Sequence, residues 1–457
     1  MRVGRSITQS AVIATVGALI ASAVSAADLP AQTKAKPAPI AALTSADWTG
    51  FYLGLYAGLG VQQSHGKDPT GRTGPGEVEF IGQGFTGGAT AGYNYQFFPN
   101  WVAGLEGDFG YLGLDRKFTD YFPDPDFNSK TSWIGTLRAR LGYSSGPSFD
   151  YVTGGAAFVH VTDVNDPSLT ALGGSRVSRS QTHVGFALGG GIETRLGGNW
   201  TAKAEHLYVD VGDGDLLRAK GLIPRPFQVD KHRYELMKFG VNYLFGGRPY
   251  TIPAAHDWTG LYAGLVGGSA VSSIEGSSPS RPRWGVINNN GSGFTAGGIA
   301  GYNWQLAPHW VVGAEGDFSW LGIDHDSLNY FDDPAVLRVE TSWIATARAR
   351  VGYSTGAALI YLTGGGAWLD VRDSFRGSPS RAGGPLVASA TTLSGAAIGG
   401  GIEAPSFLPG FMSRTEYLFI SAGWGNTVAS GSERFRADHD FHLFRFALVH
   451  KFGAGWN

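Results

Sequence analysis

The sequence predicts an all-β fold: transmembrane antiparallel β-barrels, two in tandem, each eight-stranded and up-and-down. Three observations carry this. The 457-residue chain repeats itself, with Asp47-Trp48-Thr49-Gly50 returning as Asp257-Trp258-Thr259-Gly260 and TSWIGTLRARLGY (131–143) returning as TSWIATARARVGY (341–353). A unit of about 200 residues is too long for a solenoid repeat and marks a duplicated domain. Within each copy, an even number of strand-like segments is joined alternately by short turns and long polar loops, the layout of an outer-membrane barrel. A β-sandwich would not segregate its loop lengths this way. Finally, the segments alternate apolar and polar residues, which gives each strand one greasy and one polar face.

Composition agrees. Glycine is abundant, at 70 residues, and 13 Trp, 18 Tyr and 27 Phe accompany it. Many short strands and turns suit that mixture better than helices. The net charge of −2 gives no basic surface for nucleic acid, and there is no cysteine to form disulfides.

Residues 1–26 read as a signal peptide. Arg2 and Arg5 form the charged region, residues 11–24 the apolar region, and Val24 and Ala26 the small positions before cleavage. The apolar run is short for a membrane helix. Residues 27–46, with Pro30, Pro37 and Pro39, form an N-terminal linker. The first barrel is placed at 47–246, a Pro-containing linker at 247–256, the second barrel at 257–453 and a tail at 454–457. In the first copy, strands are expected at 49–61, 85–97, 101–114, 131–143, 150–161, 183–195, 200–210 and 232–245. The short connections follow the second, fourth and sixth of them.

The third strand separates inside from outside. Trp101, Ala103, Leu105, Phe109 and Tyr111 share one face, and Glu106 and Asp108 share the other. In the fourth strand, Trp133, Leu137, Leu141 and Tyr143 oppose Thr136, Arg138 and Arg140. In lipid the apolar face points outward, because a charge at mid-membrane costs about 2–4 kcal/mol. The polar faces then meet in the lumen. The first barrel's expected lumen charge network is Glu106, Asp108, Glu193 and Glu205 with Arg138, Arg140 and Lys203, and Arg195 as a fourth base. The second copy offers Glu315, Asp317, Glu403 and Glu416 with Arg348, Arg350 and Arg414. An eight-stranded barrel is just wide enough for its own side chains, so such a network fills it. Tyr93, Tyr95, Phe97, Trp101, Tyr143 and Trp200 crowd the strand ends as an interfacial girdle.

Chemical motifs are weak. Gly142-Tyr143-Ser144-Ser145-Gly146 and Gly352-Tyr353-Ser354-Thr355-Gly356 match G-x-S-x-G, which marks a hydrolase only between a strand and a helix; here the motif joins two strands. A membrane-edge lipid hydrolase would use His183 or His206, but the second copy has Leu393 and Tyr417 there. Asp210, Asp213 and Asp215 resemble a calcium loop without its closing Glu. The expectation is therefore no enzyme and no metal.

Several stretches together resemble a known family: the residues AADLP at 26–30, DWTGFYLGLYAG from Asp47, WVAGLEGDF from Trp101, TSWIGTLRARLGY, YVTGGAAF from Tyr151 and FGVNYLF from Phe239. They are similar to the alphaproteobacterial outer-membrane β-barrel family of opacity-type and porin-like surface antigens. The resemblance spans nearly all of the first copy and most of the second. It implies location in the cell outer membrane of a Gram-negative bacterium. It implies outer-membrane lipids and the barrel-assembly machinery as partners, and an unknown extracellular ligand at the loops. Some members bind hemin, so hemin is a cofactor by resemblance only; the residues themselves imply none. The chain departs from the family in having two barrels, and in ending Gly-Ala-Gly-Trp-Asn after its last strand. The expected function is a structural or surface protein with charge-filled lumens, serving envelope integrity or surface interaction. The alternative is a single sixteen-stranded porin for passive diffusion of small solutes.

Overall fold

The computed structural model describes residues 46–67, 77–118, 126–166, 174–214, 216–221, 225–246, 249–251, 257–277, 287–328, 336–376 and 384–452. The expected signal peptide, most of both linkers and the tail lie outside these residues. Eight long strands form the first half: β1 (Gly50–Lys67), β2 (Glu77–Gln96), β3 (Trp101–Phe118), β4 (Asp126–Ser144), β5 (Ser148–Asp166), β6 (Val177–Gly197), β7 (Trp200–Asp210) and β8 (Arg225–Phe245). The second half repeats them as β9 (Gly260–Ser277), β10 (Ile287–Gln305), β11 (Trp310–Leu328), β12 (Val336–Ser354), β13 (Leu359–Arg376), β14 (Val387–Pro405), β15 (Phe411–Trp424) and β16 (Glu433–Lys451).

Each strand pairs antiparallel with the next, and each half then closes on itself. In the first half, β1 pairs with β8, with Tyr52 opposite Leu244 and Gly58 opposite Lys238. In the second, β9 pairs with β16, with Gly268 opposite Arg445. These two closures produce two eight-stranded barrels and overturn the alternative of one sixteen-stranded barrel.

The strands run longer than the sequence pattern suggests. A tilted strand needs about 9–11 residues to cross a bilayer. Here β1 continues to Lys67, paired with Glu77 of β2, so the pairing runs well beyond the length that crossing requires. The other ends are tight, as expected. At the turn between β4 and β5, Gly146 has φ 93°, and Gly356 has φ 92° in the second copy, a left-handed conformation that favours glycine.

A register shift interrupts β3–β4 between Tyr111 and Leu114, opposite the step from Thr131 to Trp133. The same shift recurs between Trp320 and Ile323. A bulge of this kind reverses which side of the strand faces in. Below it Thr136, Arg138 and Arg140 point inward; above it Thr131 and Ser129 do, while Trp133 turns outward and packs beside Phe109.

The first lumen is layered. Trp48 closes the short-turn end, packed on Phe149 and donating its indole N–H to Ser144 Oγ at 3.0 Å. The charged layer lies above it. Next comes an apolar layer that includes Leu112, Leu114, Ile134, Val159, Leu207 and Leu236. Outside, Leu55, Leu105, Phe109 and Leu137 are exposed as a lipid-facing belt, and Tyr95, Trp101 and Trp200 are exposed near the short turns.

Candidate functional site in the barrel lumens

The charged layer is assembled by strand register. Glu106 lies opposite Arg138 across β3–β4, Glu193 opposite Lys203 across β6–β7, and Glu205 opposite Lys238 across β7–β8. Arg138 is the hub. Its Nη2 donates to Glu106 Oε1 at 2.7 Å, to Asp108 Oδ2 at 2.7 Å and to Glu205 Oε1 at 3.1 Å. Arg140 donates from Nη1 to Glu193 Oε2 at 2.9 Å and from Nε to Asn94 Oδ1 at 2.8 Å. Lys203 Nζ sits 2.8 Å from Glu106 Oε2. Tyr52 and Tyr151 donate their hydroxyls to Glu106 and Glu205, at 2.8 and 2.9 Å. The Arg140 guanidinium lies 4.6 Å from the Tyr52 ring centroid, a cation–π contact. A Cβ at Gly92 would collide with that Tyr52 hydroxyl, so glycine there leaves room for the ring.

The second barrel builds the same layer. Arg348 donates to Glu315 at 2.6 Å, to Asp317 at 2.9 Å and to Glu416 at 3.2 Å. Arg350 reaches Glu403 at 3.0 Å, and Arg414 bridges Glu315 and Glu403 at 2.5 and 2.8 Å. Tyr262 and Tyr361 repeat the tyrosine donors, both at 2.7 Å.

Two residues of this layer are absent from the sequence expectation. Lys238 on β8 binds Asp108 at 3.0 Å, and Arg445 on β16 binds Asp317 at 2.8 Å and Glu416 at 2.5 Å. They complete four acids against four bases in each lumen. The signal was present as an imbalance of four acids to three bases in the second copy, where Pro405 replaces Arg195, together with the alternation Tyr234, Leu236, Lys238 along the closing strand. Arg195, expected as the fourth base, instead packs over Trp48 at 5.0 Å and donates to the Asp47 carbonyl.

Glu106, Asp108 and Glu205 place carboxylate oxygens within 4.8 Å of one another, close enough to share a cation. The Arg138 guanidinium already reaches all three, and Lys203 and Lys238 add to the positive charge. Buried carboxylates matched this way form ion pairs with no spare negative charge to attract a metal.

The sequence profile of the family described as "Outer membrane protein beta-barrel domain" matches residues 16–245. The chain belongs to this outer-membrane β-barrel family. It is 30% identical over 257 residues to the 31 kDa outer-membrane immunogenic protein of Brucella melitensis, covering 52% of this chain and 100% of that protein. It is 30% identical over 198 residues to the 22 kDa outer membrane protein of Rhizobium leguminosarum, covering 43% of this chain and 78% of that one. Among solved structures, Neisserial surface protein A aligns at 19% identity with a TM-score of 0.24, over 43% of this chain and 98% of that one. The protein is thus an outer-membrane barrel protein whose relatives include outer-membrane immunogenic proteins.

For a barrel of this family the remaining motifs have structural placements. Ser144 accepts the Trp48 indole and donates to the Gly146 carbonyl at 3.2 Å; Ser354 accepts the Trp258 indole at 3.0 Å. The G-x-S-x-G serine is thereby a docking point for the tryptophan that closes the barrel end. His183 and His206 do not converge. His183 lies in the lumen beside His232, with ring centroids 5.4 Å apart, whereas His206 lies on the outer face with its Nε2 at 2.5 Å from Glu235 Oε2. Asp210 accepts from Arg233 and from the Gly212 amide, at 3.2 and 2.9 Å; Asp215 is outside the described residues.

Above the apolar layer, the first lumen holds a second polar group. His232 Nδ1 is 2.9 Å from Ser64 Oγ, and its Nε2 is 3.3 Å from Asp163 Oδ2. Gln62 donates to Ser64 and Ser129 at 2.9 and 3.0 Å, and Thr131 donates to Gln62 at 2.9 Å. The serine, histidine and aspartate are in the order of a hydrolytic triad, but all three are buried, and Ser64 Oγ also accepts from Gln62 Nε2. The arrangement ties four strands, β1, β4, β5 and β8, together across the upper lumen.

Proposed function

We propose that this protein is a non-catalytic structural and surface protein of the outer membrane, with lumens closed to solutes and long extracellular hairpins presented for interaction. The observation that carries this reading is the matched charged layer: four acids and four bases fill each lumen, and all sixteen side chains are buried. A barrel devoted to solute passage keeps water among its lumen charges. Here neighbouring charges neutralise one another, and tyrosine rings occupy the space between them.

The apolar belt and aromatic girdle hold the barrels among outer-membrane lipids, and the barrel-assembly machinery inserts them. Contact with an extracellular ligand falls to the long connections, which differ most between the copies. The immunogenic relatives fit this assignment, because an antigen must expose such loops. The test compares a deletion strain with its parent. Deletion should raise detergent sensitivity and leakage of periplasmic protein while leaving small-solute uptake unchanged. Slower solute uptake with an intact permeability barrier would reject the proposal.

A further inference from the structure

The outer surface of a membrane barrel should be uniformly apolar, but on this chain it is not. On β7 and β8, His206 and Glu235 point outward and bind each other. At the corresponding places in the second barrel, Tyr417 of β15 and His442 of β16 also point outward, with the hydroxyl 2.8 Å from Nδ1. Asp150, near the start of β5, is outward as well. Lipid would penalise all of these groups.

None of them faces lipid. His206 is 9% exposed, Glu235 7% and Phe444 0%, whereas Leu137 on another outer face is 61% exposed. The cover is the other barrel. The His206 ring stacks on Phe444 with centroids 4.9 Å apart and lies 6.1 Å from Phe446. Asp150 Oδ2 accepts from Ser413 at 2.8 Å, and Ser145 donates to the Pro405 carbonyl at 2.7 Å. A single apolar cluster joins Val61, Ile192 and Met237 to Val271, Ile402 and Phe444.

Those six residues are three equivalent pairs. Val61 corresponds to Val271, Ile192 to Ile402 and Met237 to Phe444, in the repeat register that aligns Lys238 with Arg445. The barrels therefore meet through the same face, as partners in a two-fold dimer do. The cross-barrel pair Asp150–Ser413 has its counterpart in Ile360 and Ala202, which belong to the same cluster. One side of the seam is polar and the other apolar, so two identical copies of either barrel would not reproduce it.

We infer that β6–β8 with β1 and β2 of the first barrel, and β14–β16 with β9 and β10 of the second, form a dedicated docking face, and that the two barrels form a pseudo-two-fold heterodimer in the membrane rather than two barrels tethered by a linker. His206–Glu235 and Tyr417–His442 are its buried polar pairs. The seam holds them away from lipid and, in return, excludes wrong partners by the cost of leaving them uncovered.

The test uses the full chain in native membranes, with a protease site engineered at residues 252–256. The chain has no native cysteine, so Asp150→Cys with Ser413→Cys introduces the only thiols. After mild oxidation and linker cleavage, this pair should keep the two halves together on a non-reducing denaturing gel. A control pair on exposed outer faces, Leu137→Cys with Val351→Cys, should release them. Without cysteines, the cleaved halves should co-purify in mild detergent, and Ala204→Trp should lower that recovery about tenfold. The gel shift on boiling reports separately that each barrel remains folded. Folded halves that part on cleavage, with no more cross-linking at the seam than at the control pair, would overturn the inference.

Discussion

The two barrels share one charged layer and differ in the lumen above it. In the first, Asp163 and His232 are surrounded by Gln62, Ser64, Ser129, Thr131 and Tyr234, which bond to one another. In the second, the equivalent pair is Asp373 and His439, 3.4 Å apart. Ile274, Val339, Leu393 and Phe441 stand where the first barrel has Ser64, Ser129, His183 and Tyr234, and all four belong to a continuous apolar cluster. The difference separates two kinds of constraint. Charges in the lower layer are mutually dependent, because changing any one leaves a buried partner unmatched. The upper layer needs only to be filled and satisfied, so it can be polar in one copy and apolar in the other.

The largest expected effect tests the shared layer. Arg138→Met and Arg348→Met each strip a guanidinium from three carboxylates, and each should destabilise its barrel by about 3–5 kcal/mol. Urea unfolding in lipid vesicles, followed by the gel shift on boiling, measures this. Unequal losses in the two barrels would break the claimed equivalence. Next in size is the apolar upper lumen of the second barrel. Ile274→Ala opens a cavity beside buried neighbours and should cost about 2–5 kcal/mol in the same assay. Ser64→Ala, at the equivalent place in the first barrel, removes a partner of both Gln62 and His232 and should cost about 1–3 kcal/mol. If Ser64→Ala proved the more damaging of the two, the upper lumens would not differ in the way described. The smallest effect sharpens the comparison of bases. Lys238 pairs with one carboxylate, Asp108, and lies over the Tyr56 ring, while Arg445 bridges Asp317 and Glu416. Lys238→Arg should therefore hold or raise stability, by no more than about 1 kcal/mol.

The charged layer was legible because two signals coincide: period-two alternation along β3 and β4, and its return in the second copy. Lys238 and Arg445 are less legible, because the position holds a lysine in one copy and an arginine in the other and lies on the closing strand, away from the repeated β3–β4 hairpin. The bulge after Tyr111 left no mark in composition, yet it reverses the inward face of β4 and so decides that Thr131 and Ser129 enter the lumen. The polar upper cluster was unreadable for a related reason. Gln62, Ser64, Ser129 and Asp163 lie beyond the strand ends that the apolar alternation defines, in hairpin extensions above the membrane where lipid no longer enforces alternation. The seam between the barrels was equally hidden, because His206 and Glu235 look anomalous only once their outward direction is known.

Planar-bilayer conductance of the purified full chain tests the central claim most directly. Two separate barrels, each filled by four acids and four bases, should give no stable large channels across the applied voltage range. Reproducible large conductance steps from the folded wild-type protein would contradict the filled-lumen account.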